Sequence, residues 1–91
     1  MDKREKLNGM EKMLREFDDI VNSQTSLLKK VAQLEAENIN LGISLLEKKL
    51  PEIHSKADDT LTVAKALKEE FTDVKDKFIK DNKLDEVASV A

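Results

Sequence analysis

Asn38-Ile39-Asn40-Leu41-Gly42-Ile43-Ser44-Leu45-Leu46-Glu47 holds the densest turn chemistry in this chain of 91 residues. Asn and Gly tolerate the left-handed backbone that ends helices. Ser44 followed three residues later by Glu47 has the form of a capping box that starts one. The stretch thus reads as one helix stopping and another beginning. Ile39, Leu41, Ile43 and Leu45 alternate strictly, which is also a strand pattern, but a lone short strand would find no partner in this chain.

Two heptad patterns leave this stretch in opposite directions. Upstream, Met10, Met13, Phe17, Ile20, Gln24, Leu27, Val31, Leu34, Asn38, Leu41 and Leu45 are spaced by alternating steps of three and four. Downstream, Ile39, Ile43, Leu46, Leu50, Ile53, Ala57, Thr60, Ala64, Leu67, Phe71, Val74 and Phe78 repeat that spacing. Such steps give a helix one apolar stripe to turn toward a neighbour. The two frames differ by two residues, a rotation of roughly 200° at 3.6 residues per turn. One straight helix would carry its stripe first on one side and then on nearly the other. A chain that reverses direction removes the conflict, because each arm faces the other. The predicted fold is therefore all-α: a two-helix antiparallel coiled-coil hairpin that assembles into a helical bundle.

The predicted arms run from about residue 3 to 38 and from about 44 to 81, with the turn at about 38–44 and a flexible tail at 82–91. Pro51 is the rival site for the reversal, yet the second pattern keeps its register across it; Pro51 then kinks a continuous helix or sits at its first position. Folded about position 41, residues whose numbers sum to roughly 82 should face each other. Phe17 would lie near Ala64, Leu27 near Ile53, Val31 near Leu50 and Met10 near Phe71. Asn8-Gly9-Met10-Glu11 has the form of a capping box for the first helix, and Asp2 is the competing start. Asp81-Asn82-Lys83 reads as the end of the second helix, followed by a loose tail through Leu84, Val87 and Val90.

Composition limits what such a hairpin does. Charged residues make up 38% and aromatics 3%, and there are two Gly and one Pro, a profile for long solvent-washed helices rather than a sheet. One small domain fits this length, with a thin core. The net charge of −3 argues against nucleic acid as the main partner, since phosphate binding draws on clustered Lys and Arg. Residues 1–50 hold nine basic and nine acidic side chains, residues 51–91 seven and ten. Without Cys, disulfide and thiolate chemistry is excluded. Met1 to Leu7 is charged and no long apolar run follows, so neither a signal peptide nor a membrane span is expected, and a cytoplasmic setting is.

Catalytic chemistry is not legible. His54 stands alone, and reads as a surface histidine beside a kink. Asp18-Asp19, Asp58-Asp59, Glu69-Glu70 and Asp85-Glu86 fall in solvated helical stretches, with no pocket to split their pKa values. No phosphate loop, nucleophile elbow or metal-ligand spacing occurs. No cofactor, metal or enzymatic activity is expected. Gln24 and Asn38 are polar at seam positions, where such residues select register; Asn38 doubles as turn chemistry.

Two windows, Ile20–Leu28 and Asn38–Leu46, hold no charged residue and should be shielded on more than one face. At the tip of a lone hairpin, Ile39, Leu41, Ile43 and Leu45 cannot all be buried, so they are predicted to meet a protein partner, with Ile20, Leu27 and Leu34 along the first arm. The function this predicts is a helical adaptor or scaffold subunit, pairing with itself or with partner helices. A second class is a small secreted or chaperoned hairpin of a bacterial specialised secretion system. In size and hairpin shape the chain resembles the Trp-X-Gly secretion substrates and their helpers. Asn40-Leu41-Gly42 stands where that family has its turn motif, without the Trp. Phe78 is followed four residues later by Asn82, where the family's tail signal has an acidic residue. A membrane-surface helix fits poorly, because such helices oppose an apolar face to a basic one and the second arm is acidic.

Overall fold

The computed structural model describes residues 1–85, which form two helices joined by two residues: α1 (Lys3–Leu41) and α2 (Ser44–Asp81). They lie side by side as an antiparallel hairpin with extents of 65 × 20 × 19 Å. No strand occurs among the described residues. Val87 and Val90 of the expected tail lie outside them.

The reversal falls inside the predicted window, and α1 runs to Leu41, three residues past the expected arm end. Gly42 closes α1 in the left-handed conformation, φ 64°, and its N–H bonds the Asn38 carbonyl at 2.7 Å. Ile43 is extended and begins α2 with no side-chain cap. The capping box expected at Ser44 does not form, because Ser44 is already helical. Asn38 holds the connection instead: its Oδ1 accepts from the Ile43 N–H at 3.0 Å, and its Nδ2 donates to the Ile43 carbonyl at 3.1 Å. Asn38 is 3% exposed, so these two bonds satisfy an amide that water cannot reach.

The start of α1 also differs from expectation. Asp2, not Asn8, is the cap, its carboxylate accepting from the Glu5 N–H at 2.7 Å. Nothing in Lys3–Leu7 breaks a helix, so the earlier cap wins and Gly9 is carried inside. Pro51 lies within α2, and the helix passes through it. At its far end Lys83 is left-handed, φ 54°; Leu84 N–H bonds the Ile79 carbonyl at 2.9 Å and Lys83 N–H that of Lys80 at 3.2 Å. These are the two bonds of a Schellman stop.

The pairing register is shifted from the expected one. Phe17 meets Phe71 edge-to-face, ring centroids 5.7 Å apart at 89°, rather than Ala64. Asp18 pairs with Lys68, and the Lys6 ammonium sits 5.2 Å from the centre of the Phe78 ring. Facing numbers thus sum to 84–88, because the hinge is Gly42-Ile43 and not position 41. The core is thin: among the described residues only Leu7, Val31, Asn38, Leu50 and Ala57 are buried.

Candidate interaction face

The side of α1 turned toward α2 is Leu7, Met10, Leu14, Phe17, Val21, Gln24, Leu28, Val31, Glu35 and Asn38, all buried or half-buried. On α2 it is Leu50, Ala57, Leu61, Ala64, Lys68, Phe71, Lys75 and Phe78. Half of each expected seam is therefore in place: Met10, Phe17, Gln24, Val31 and Asn38 on α1, with Leu50, Ala57, Ala64, Phe71 and Phe78 on α2. The other half is not. Met13, Ile20, Leu27 and Leu34, and Ile53, Leu67 and Val74, are 40–52% exposed. Leu41 and Thr60 are exposed as well.

These exposed positions recur every seven residues, one step of the heptad to the same side of the central row on each helix. Reversing a helix reverses the sense in which its residues wind, so in an antiparallel pair both rows rise on one face of the hairpin. The opposite groove carries different chemistry. Asp18 and Lys68 pair there, and an open cleft of about 470 Å³ is lined by Val21, Lys65, Lys68, Glu69, Thr72 and Asp73. The hairpin thus has a polar side and an apolar side running nearly its full length.

The angle of the apolar seam carries information. On α2 the apolar rows are the central one and that of Ile53, Leu67 and Val74, so the stripe is turned away from α1 toward the open face. On α1 Leu7, Leu14, Val21 and Leu28 make a third apolar row, and the stripe is centred on Met10, Phe17 and Val31. A helix with one neighbour gains most by aiming its seam straight at it. A helix with two neighbours at right angles, as in a four-helix bundle, aims its seam about 45° off each. In this chain the rows of Met13, Ile20, Leu27 and Leu34 and of Ile53, Leu67 and Val74 are left without a neighbour.

Area agrees. The hairpin exposes 6933 Å², whereas folded monomers of 10.3 kDa expose about 5,400 Å². The excess, about 1,500 Å², goes with a rod 65 Å long and 20 Å wide and leaves room for the ~800 Å² that each partner buries in a standard interface.

Every predicted partner-binding residue lies at the surface. Ile20, Leu27, Leu34 and Leu41 belong to the open face, with Leu41 at its tip end. Ile43 and Leu45 are exposed at the turn, and Ile39, 81% exposed, lies on the polar side. The tip also holds a cavity of about 160 Å³ lined by Glu35, Asn38, Ile39, Leu46, Glu47, Leu50 and Pro51. The Glu35 Oε1 is covered there and has no hydrogen-bond partner. Within the chain the charge-free windows are shielded on one face only: Val21, Leu28 and Asn38 turn toward α2, whereas Ile20, Leu27, Ile39, Leu41, Ile43 and Leu45 are exposed. Met13, Ile53, Leu67 and Val74 were read as seam, and their place on the open face required the rotation of each helix. His54 is exposed. No helix of the described residues is long and apolar enough to cross a membrane.

Residues 1–81 match the model of a family described as Nucleotide-Binding Domain 94 of RH. No curated protein and no solved structure matches the chain.

Proposed function

This chain belongs to that family, and for it we propose the role of a non-enzymatic helical interaction protein, an adaptor or scaffold subunit in a cytoplasmic complex. It acts by coiled-coil pairing, offering the face of Met13, Ile20, Leu27, Leu34, Ile53, Leu67 and Val74 to two further helices. The observation that carries this reading is the open face: each helix leaves one largely apolar row of its stripe, 40–52% exposed, uncovered by the other, and two further helices laid on it would close the core of a four-helix bundle. Contiguous apolar surface of this extent is characteristic of interaction sites.

Leu27→Asp and Leu67→Asp each put a charge at the middle of the face. Either substitution abolishes assembly of the chain in extracts of its source cell, read as a fall in hydrodynamic size, while Glu69→Lys on the polar side leaves it. Unchanged size in both Asp variants sinks the reading.

Nucleotide binding is the second reading, taken from the family's description. The cleft of Lys65, Lys68 and Thr72 supports it, since it gathers two ammonium groups and a hydroxyl. Against it, Asp18 already engages Lys68 and the Thr72 hydroxyl bonds the Lys68 carbonyl at 2.8 Å. Glu69 and Asp73 add two carboxylates that repel phosphate. Calorimetric titration with ATP decides it: heat that disappears in Lys65→Glu favours this reading, and no heat removes it.

A further inference from the structure

We infer that the occupant of the open face is a second copy of this chain, packed with its turn at the opposite end, so that α1 lies antiparallel on α1 and α2 on α2. The inference rests on the interaction reading above and names the partner. A two-fold dimer uses one face twice, so that face must be complementary to itself, and here three features are.

The first is shape. The central rows are Met10, Phe17, Gln24, Val31, Asn38 and Leu50, Ala57, Ala64, Phe71, Phe78. The terminal half of the hairpin is bulky, with Phe17 edge-on to Phe71, and the middle is small at Ala57 and Ala64. With the turns at the same end, α1 would lie on α2 of the other copy, so that Phe17 and Phe71 of both copies share one layer and Ala64 of both copies shares another with Gln24. One layer would be overfilled and the next would hold a void. With the turns at opposite ends and the two-fold axis beside Gln24 and Ala64, Phe17 lies across from Val31 and Phe71 across from Ala57. Each aromatic ring then meets a smaller side chain.

The second is polarity. The same axis brings Gln24 to its own copy, and a side-chain amide, with both donor and acceptor, bonds its own kind. A polar pair at one seam position fixes register, because any slip leaves both amides buried against apolar groups.

The third is charge at the rim. With opposite ends, Glu16 comes beside Lys30 of the other copy and Lys56 beside Glu70, against one like pair, Lys49 with Lys77. With the same end, Glu16 would meet Glu70 and Lys30 would meet Lys56, against one favourable pair, Glu37 with Lys49. Rim charges are worth little singly, but their sign selects the arrangement.

The chain has no Cys, so one introduced thiol reports cleanly. Asn40→Cys, at an exposed position beside the turn, is spin-labelled, and light scattering gives the mass of the same sample. Twice 10.3 kDa with a label separation on the order of 50 Å, about 32 residues along the helix, is the expected result. A separation within about 25 Å, a few helix diameters, overturns the arrangement. A helical monomer overturns the second copy as occupant, while the interaction reading is judged separately by the Leu27→Asp and Leu67→Asp variants in extract. Sedimentation equilibrium of Glu16→Lys adds a test by sign: dimerisation weakens several-fold with opposite ends and tightens with the same end. Adding Lys30→Glu restores affinity only in the former.

Discussion

Asn38 spends its whole amide on one residue: both polar atoms of the side chain bond the backbone of Ile43, at 3.0 and 3.1 Å. Only one orientation of the amide works, because an N–H must meet an acceptor and a carbonyl a donor. The pair fixes where α2 begins relative to the last turn of α1, and with it the register of the hairpin. Asn38→Ala leaves the Ile43 groups without these partners and lowers stability by about 1–3 kcal/mol. Asn38→Asp keeps the acceptor but sets a carboxylate oxygen against the Ile43 carbonyl at a site 3% exposed, so near neutral pH it costs at least as much as Ala. Urea denaturation followed by circular dichroism orders the three chains, and an Ala variant as stable as the parent would show that the turn does not depend on these bonds.

The two glycines respond oppositely to the same change. Gly42 is left-handed and Gly9 is in mid-helix, and a methyl group at either meets nothing within 4 Å. Gly42→Ala therefore costs only backbone strain, about 1 kcal/mol, while Gly9→Ala gains about 0.5–1 kcal/mol by raising helix propensity. Thermal melts of the two variants at equal concentration should move to opposite sides of the parent.

The reversal was legible because the Asn/Gly cluster at Asn38–Gly42 coincides with the shift between the two heptad frames; the Ser44–Glu47 capping box pointed to the same place although no such cap forms. Which cap wins was not: Asn8 and Ser44 both have the form of caps, but an Asp2 cap upstream and the Asn38 amide took over their roles. The seams were legible by half. Periodicity locates an apolar stripe of three adjacent rows but not which two of them touch the neighbour, since that depends on how far each helix is rotated about its axis. Leu14, Val21 and Leu28 turned inward and Met13, Ile20 and Leu27 outward for that reason. Ile20 and Leu27 were expected to meet a partner because they fall in a charge-free window, and Leu34 was grouped with them along the first arm, whereas Ile53, Leu67 and Val74 were assigned to the interior of the hairpin.

Glu35 breaks the row that Leu7, Leu14, Val21 and Leu28 establish on α1. Its Oε1 is covered and has no hydrogen-bond partner, which is a cost to the folded state. Glu35→Leu continues the row and raises stability by about 1 kcal/mol, provided that the isolated chain is measured. Equal or lower stability in the Leu variant would mean that the carboxylate is satisfied by solvent in the tip cavity.

The Phe17–Phe71 contact tests the hairpin register in solution. Edge-to-face rings at 5.7 Å contribute about 0.5–1.5 kcal/mol beyond the area they cover. In a double-mutant cycle of Phe17→Leu and Phe71→Leu, that coupling appears as non-additivity of the same size. The alternative register, with Phe17 against Ala64, predicts additive losses in this cycle and a coupling between Phe17→Leu and Ala64→Gly instead. If the chain dimerises with its turns at opposite ends, Val31 of the second copy becomes another neighbour of Phe17. Val31→Ala then couples to Phe17→Leu only at concentrations where the dimer is populated, whereas the Phe17–Phe71 coupling persists on dilution. Concentration thus separates the contact made within the chain from the one made between chains.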